Sequence, residues 1–137
     1  MKGIVTLCGS HCFKDIFEEV AQILGMSGWV VLRPAFAVNA HEYALPTDGK
    51  KGLKQRFDDL HMEKIGMSQA IIVINHENYI GDSTRREIDY AKQLKKQIYW
   101  HEKPTYAIGK PFEGKWETGD LWTKLIDPEV VELLAKQ

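Results

Sequence analysis

The residues best suited to chemistry lie in Gly81-Asp82-Ser83-Thr84-Arg85-Arg86-Glu87-Ile88-Asp89-Tyr90-Ala91, a polar turn that opens a helix after the apolar run Ala70 to Ile74. Glu87 heads the series Glu87, Ala91, Leu94, Ile98, whose i, i+4, i+7, i+11 spacing is that of one buried helix face. A carboxylate therefore stands where a core residue is expected. In an open α/β fold, a helix that follows a strand begins at the carboxyl edge of the sheet, where ligands bind. A carboxylate there can capture or stabilise a positive carbon while a nearby acid or hydrogen-bond donor helps a leaving group depart. The positive end of its own helix, with Arg85 or Arg86, favours the ionised form. The same spacing also has a structural reading, because Thr84-x-x-Glu87 matches a capping box in which Glu87 bonds back to the Thr84 amide. Sequence leaves both readings open.

The elements that must position this turn follow a βα rhythm. Gly3 to Leu7 is an apolar, β-branched run closed by Cys8-Gly9-Ser10. A helix follows from Phe13 to about Met26, with Phe13, Ile16, Phe17, Val20, Ile23 and Leu24 at helical spacing and Gly28 as its stop. Trp29 to Leu32 is a second strand, ended by Arg33-Pro34 because proline cannot donate to the ladder. Ala35 to Gly52 is too polar and irregular for a regular element and is expected to be a mobile flap. A moderately amphipathic helix from Leu53 to Met67 leads to the strand Ala70 to Ile74. The helix from about Thr84 to Lys96 leads to a fourth strand, Gln97 to Trp100. Right-handed connections join these repeats into a parallel sheet. The fold class is thus α/β: a small Rossmann-like (flavodoxin-like) parallel sheet of four to five strands flanked by helices.

The C-terminal part is an arm and a helix. His101 to Gly119 carries two prolines and several glycines, so it reads as loop, yet Tyr106, Phe112 and Trp116, with nearby Trp122, are too many aromatics for a solvated linker. They are expected to cover the domain or pack on a second subunit. Asp127-Pro128-Glu129 starts a last helix, with Asp127 as N-cap and Pro128 at its first position. One domain over residues 1–137 is expected, with an α/β core over 1–102 and the arm and helix over 103–137.

Composition narrows the function classes. The chain has 137 residues, enough for one compact domain, and its formal charge is only −1. Neither nucleic acid nor an anionic membrane is an expected partner. No run approaches a membrane span and no secretory leader is evident, so the expected location is cytoplasmic. Cys8 and Cys12 are the only cysteines, and no nearby histidine cluster completes a zinc pattern, so neither a metal nor a cofactor is expected. Cys8 reads as a small hydrophobe closing a buried strand, and Cys12 as a candidate ligand-facing thiol.

Three segments together resemble the nucleoside 2-deoxyribosyltransferase-like superfamily, in particular its short phage and bacterial members. They are Cys8-Gly9-Ser10, Leu60-His61-Met62-x-Lys64-Ile65, and Tyr79-Ile80-Gly81-x-Ser83-Thr84-Arg85-x-Glu87-Ile88-x-Tyr90-Ala91. The resemblance covers about Met1 to Glu102. It implies cleavage of the N-glycosidic bond of a nucleoside or nucleotide, by hydrolysis or by deoxyribosyl transfer, with Glu87 as nucleophile. It places Gly9, Ser10 and His11 against the sugar or its phosphate, and His61 approximately where the family has an aspartate. It also implies a homodimer or higher homo-oligomer. Short relatives commonly carry C-G-S-T-R-F at the first turn, whereas this chain has Cys8-Gly9-Ser10-His11-Cys12-Phe13. A histidine replaces arginine's fixed fork only when protonated, and with looser geometry.

The remaining candidates have paired readings. Gly81, Ser83 and Thr84 open the helix, where its amides could hold a sugar hydroxyl or a phosphate, although serine and threonine also simply start helices. Asn75 and Asn78 could read a base or serve as turn residues. Tyr79 could stack on a base or pack as core. His61 lies within Asp58-Asp59-Leu60-His61-Met62-Glu63, which has the look of a solvated helix face. Arg85 and Arg86 read as a solvated pair. The alternative to an enzyme is a non-catalytic protein that binds a nucleotide derivative, as a sensor or a phage-encoded sequestering protein.

Overall fold

The computed structural model describes residues 2–35, 49–102, 119–120 and 124–136. Along the chain come β1 (Gly3–Gly9), α1 (Lys14–Met26), β2 (Trp29–Leu32), α2 (Gly49–Met67), β3 (Ala70–Ile74), α3 (Asp82–Gln93), β4 (Gln97–Trp100), β5 (Gly119–Asp120) and α4 (Pro128–Ala135). Short 3-10 turns at His11–Phe13 and His76–Asn78 follow β1 and β3. All strand pairs are parallel and the order is β2-β1-β3-β4-β5. This is the flavodoxin-like order, in which the chain steps outward from β1 to β2 and then back across β1 to β3. Right-handed crossovers in opposite directions put α1 on one face and α2 on the other. A crevice must open where the two connections diverge, at the carboxyl ends of β1 and β3.

Alternation along the strands divides the core accordingly. Val5, Leu7, Ala70, Ile72, Ile74 and Tyr99 face α1, where Phe17, Val20, Ile23 and Leu24 meet them. Cys8, Ile71, Val73, Ile98 and Trp100 face the opposite way, against Ile65 of α2 and Ile88 and Ala91 of α3. The C-terminal segment joins the α1 side through Leu125, Ile126 and Val130. Asp127 is the N-cap of α4 and Pro128 its first residue, as the sequence suggests, but the Asp127 carboxylate pairs with Lys2 rather than with the helix amides.

Several boundaries differ from expectation. The chain between 36 and 48, where most of the expected flap falls, lies outside the described residues, as do the arm aromatics Tyr106, Phe112, Trp116 and Trp122. Residues 49–52, assigned to that flap, are instead the first turn of α2. The arm adds a short fifth strand, with Gly119 opposite Tyr99 and Asp120 opposite Trp100.

Helix α3 starts at Asp82 and stops at Gln93. Its end is a Schellman motif: Lys95 takes φ +59°, its amide bonds to the Lys92 carbonyl at 3.0 Å, and the Lys96 amide bonds to the Ala91 carbonyl at 2.9 Å. A lysine fills the left-handed position that glycine usually marks. Leu94 is therefore 40% exposed and Ile98 belongs to β4, so neither extends the Glu87 stripe. The buried face of α3 is Thr84, Ile88 and Ala91.

Candidate active site

At the carboxyl ends of β1 and β3 lies a cleft of about 400 Å³. Gly9, Ser10 and His11 line it from the β1 turn, and Pro34 and Ala35 from the end of β2. Lys54, Phe57, Asp58 and His61 come from α2. Tyr79, Gly81, Asp82, Ser83, Thr84 and Glu87 come from the β3–α3 connection and the start of α3.

The β1 turn reaches the cleft because Gly9 has no side chain. It is in register with Ile74, and a Cβ there would stand 3.0 Å from the Ile74 carbonyl oxygen and 3.1 Å from the Phe17 ring. The Ser10 hydroxyl accepts from the Cys12 amide at 3.4 Å and lies 3.1 Å from the Cys12 thiol. His11 is exposed at the rim.

Gly81 is the N-cap of α3, and the Arg85 amide closes the first turn on the Gly81 carbonyl at 3.0 Å. Thr84 is therefore inside the helix and nearly fully buried. This removes the capping-box reading, since Gly81 rather than Thr84 is the N-cap and Glu87 lies in the second turn. Ser83 is exposed and its hydroxyl accepts from the Arg86 guanidinium at 3.1 Å. Both arginines are exposed, as expected.

Glu87 turns instead toward His61. Its Oε1 lies 3.4 Å from His61 Nε2, and the two side chains are only 12% and 5% exposed. His61 is thus not on a solvated face. The inner side of α2 runs through His61 and Ile65, while Leu60 is 47% exposed. Behind His61, Cys8 Sγ lies 3.4 Å from the same Nε2. Glu87 Oε2 and His61 Nδ1 have no hydrogen-bond partner among the described residues.

Burial sets the protonation of this group. It pushes the Glu87 carboxyl up to about 8, with the Asp58 charge adding to the rise and Arg86 and Lys54 opposing it. The expectation of a carboxylate held ionised by its helix and its arginines is therefore corrected: desolvation outweighs both. Burial lowers His61 to about 4, with Lys64 and His11 acting in the same direction and Asp58 against them. The Cys8 thiol is raised well above its usual range, by burial first and then by Glu87. At neutral pH Cys8, His61 and Glu87 together carry no net charge. Cys8 is consequently no thiolate nucleophile.

Glu87, His61, Gly9, Ser10, His11, Tyr79, Gly81, Ser83 and Thr84 meet in one cleft, whereas the candidates Asn75, Asn78 and Cys12 do not line it. Asn75 is buried, donating to the Glu102 carbonyl at 2.9 Å and accepting from the Glu102 amide at 2.8 Å. Its amide holds a loop rather than lining the cavity. Tyr79 is half exposed, and Phe13 lies edge-on to it with ring centroids 6.0 Å apart.

Sequence reasoning missed Lys54 and Asp58, which form an ion pair at 2.8 Å on the cleft wall. The spacing Lys54, Asp58, His61 on one helix was the available signal. It also missed that Cys8, His61 and Glu87 offer three ligand atoms all within 4.8 Å of one another, a group able to hold a metal ion. These residues are far apart in sequence, so only the fold reveals the cluster.

No protein-family model matches the chain, and neither does any curated protein. Among solved structures, the chain is similar to the CMP N-glycosidase BcmB of Clostridium botulinum, with a TM-score of 0.50 and 18% identity, covering 97% of this chain and 96% of that one. The likeness is one of fold, the Rossmann-like α/β architecture described above. No helix among the described residues is long and apolar enough to cross a membrane.

Proposed function

We propose that the chain cleaves the N-glycosidic bond of a nucleoside or nucleotide, with Glu87 as nucleophile and His61 as its proton partner. The observation that carries this reading is the Glu87 carboxyl on the cleft wall, one oxygen beside His61 Nε2 and the other without a partner among the described residues. The fold likeness to a CMP N-glycosidase supports the substrate class.

The proton inventory closes. Glu87 passes its carboxyl proton to His61 Nε2, giving a carboxylate and an imidazolium with no change in net charge. The carboxylate attacks C1′ as the bond to the base breaks, and the imidazolium gives the departing base its proton. Water then opens the glycosyl ester, with His61 taking a proton from that water and returning it to Glu87. If a second base takes the place of water, the same intermediate leads to deoxyribosyl transfer. The β1 turn, through Gly9, Ser10 and His11, and the start of α3, through Gly81, Ser83 and Thr84, hold the sugar and any 5′-substituent, and Tyr79 faces the base.

Incubating the wild type and Glu87→Gln with deoxynucleosides and their monophosphates, with and without an added free base, tests the reading. Base release or exchange by the wild type, reduced at least about 100-fold in the variant, is expected. No turnover of any substrate by the wild type would sink it.

A second reading, a non-catalytic nucleotide-binding protein, is favoured by one observation. A carboxyl group pushed up to about 8 is a hydrogen-bond donor at neutral pH, suited to holding a ligand intact. Native mass spectrometry separates the two readings: an intact copurified nucleotide supports binding alone, and free base appearing on incubation rejects it.

A further inference from the structure

We propose that Cys8, His61 and Glu87 form a binding site for one thiophilic divalent cation of the zinc type, and that filling it withdraws Glu87 from the cleft chemistry. The site stands on geometry independent of the glycosidase reading; only its inhibitory consequence rests on that reading.

The three ligands come from rigid elements, the end of β1, the middle of α2 and the second turn of α3. Thiolate, imidazole and carboxylate together form a donor set suited to zinc, three protein ligands with a fourth position left for water. With bonds of about 2.0–2.3 Å, a tetrahedral site needs ligand atoms separated by about 3.3–3.6 Å. His61 Nε2 is 3.4 Å from Cys8 Sγ and 3.4 Å from Glu87 Oε1, two edges of such a tetrahedron. The third edge is within 4.8 Å and closes by rotation of the Glu87 carboxylate.

Hydrogen bonding alone accounts poorly for this arrangement. A neutral imidazole Nε2 carries either one hydrogen or one lone pair, so it can make one good bond, yet two polar groups face it. The 3.4 Å separation from Glu87 is beyond the 2.7–3.2 Å of an ordinary N–H···O bond. A cation removes the competition because each of the three groups supplies a lone pair to the same centre.

Charge is conserved as well. The Cys8 S–H and Glu87 O–H bonds break and their two protons leave for the buffer, while Zn–S, Zn–O and Zn–N bonds form. Two protons are exchanged for one divalent cation, and the buried group remains neutral. Entry is from the cleft, which His61 and Glu87 both line, with Cys8 as the ligand at the back.

The test titrates chelator-treated protein with Co²⁺ and then Zn²⁺. The expected result is one equivalent bound, a near-ultraviolet thiolate-to-cobalt charge-transfer band lost on adding zinc, and close to two protons released, read calorimetrically in buffers of different ionisation enthalpy. Cys8→Ser should abolish the band and weaken zinc binding at least about 100-fold, whereas Cys12→Ser should change neither. Glu87→Gln keeps the thiol, so it should retain the band and release one proton. No charge-transfer band in the wild type, or a band that survives Cys8→Ser, would overturn the proposal. Both readouts are independent of turnover, so a protein that binds zinc without cleaving any substrate keeps the site and loses only the glycosidase reading.

Discussion

Asn75 and Glu102 clasp each other, the Asn75 side-chain amide bonding both the carbonyl and the amide of Glu102 at 2.9 and 2.8 Å. The Glu102 carboxylate then turns back on the loop after β3, accepting from the Glu77 amide at 3.1 Å and meeting His76 Nδ1 at 2.9 Å. This loop contains two successive residues in left-handed backbone, Glu77 at φ +54° and Asn78 at φ +62°. Such conformations persist where the surroundings over-determine them. The clasp therefore holds in place the turn that carries Tyr79 and Gly81 to the cleft.

Glu102→Ala is expected to loosen ligand binding more than it slows the chemical step. The carboxylate bonds His76 and Glu77, neither of which lines the cleft, and so fixes the loop that leads to Tyr79 and Gly81. KM for a cleaved nucleotide should rise about tenfold with kcat changed less, while Glu102→Gln, which can still accept from the Glu77 amide, recovers part of the loss. Steady-state kinetics on the three proteins checks this; an equal fall in kcat with KM unchanged would argue against a positioning role.

Gly9→Ala is expected to destabilise the fold by about 1–3 kcal/mol, the usual cost of overpacking. The new methyl would be 3.0 Å from the Ile74 carbonyl oxygen, which belongs to the adjacent strand and cannot rotate away. Urea denaturation of wild type and variant measures the difference. Because Ser10 and His11 follow Gly9 directly, ligand affinity should fall with it.

The sheet was legible because its strands are short, mainly apolar runs between turn residues; Trp29–Leu32, Ala70–Ile74 and Gln97–Trp100 have the expected limits. Helix faces were harder to read. His61 points inward from a polar run because α2 closes over the sheet edge next to Cys8, so its polar side chain is the helix's contribution to the cleft rather than to solvent. The Glu87 stripe was right at Glu87 and Ala91 and wrong beyond them, because a lysine rather than a glycine ends α3. The Asn75 role was illegible for a different reason: its partner Glu102 is 27 residues away, and an asparagine at a strand end looks the same whether it faces a ligand or a backbone.

His11→Arg is expected to raise affinity for a 5′-monophosphate over the corresponding nucleoside. His11 is exposed at the cleft mouth on the turn after β1. An arginine there would offer a permanently charged, bidentate donor in place of an imidazole. Binding of matched nucleoside and nucleotide pairs should show a gain of about tenfold for the phosphate form alone; an equal gain for both would place His11 away from the phosphate.

The most discriminating pH test concerns stability of the metal-free protein. Glu87 has its folded value raised from 4.5 to about 8, so between these limits the folded state holds a proton that the unfolded state has lost, and stability falls as pH rises. His61 has its folded value lowered from 6.5 to about 4, so between those limits the unfolded state holds the extra proton and stability rises with pH. The two slopes oppose each other between about 4.5 and 6.5 and largely cancel. Above 6.5 only the Glu87 slope remains, about 1.4 kcal/mol per pH unit, amounting to about 2 kcal/mol by pH 8. Unfolding in urea with chelator present should therefore show the wild type weakening from pH 6.5 to 8, and Glu87→Gln, an uncharged near-isostere, losing that decline. An equal decline in both proteins would assign the effect to other groups and remove the buried, protonated Glu87 on which the proton exchange with His61 depends.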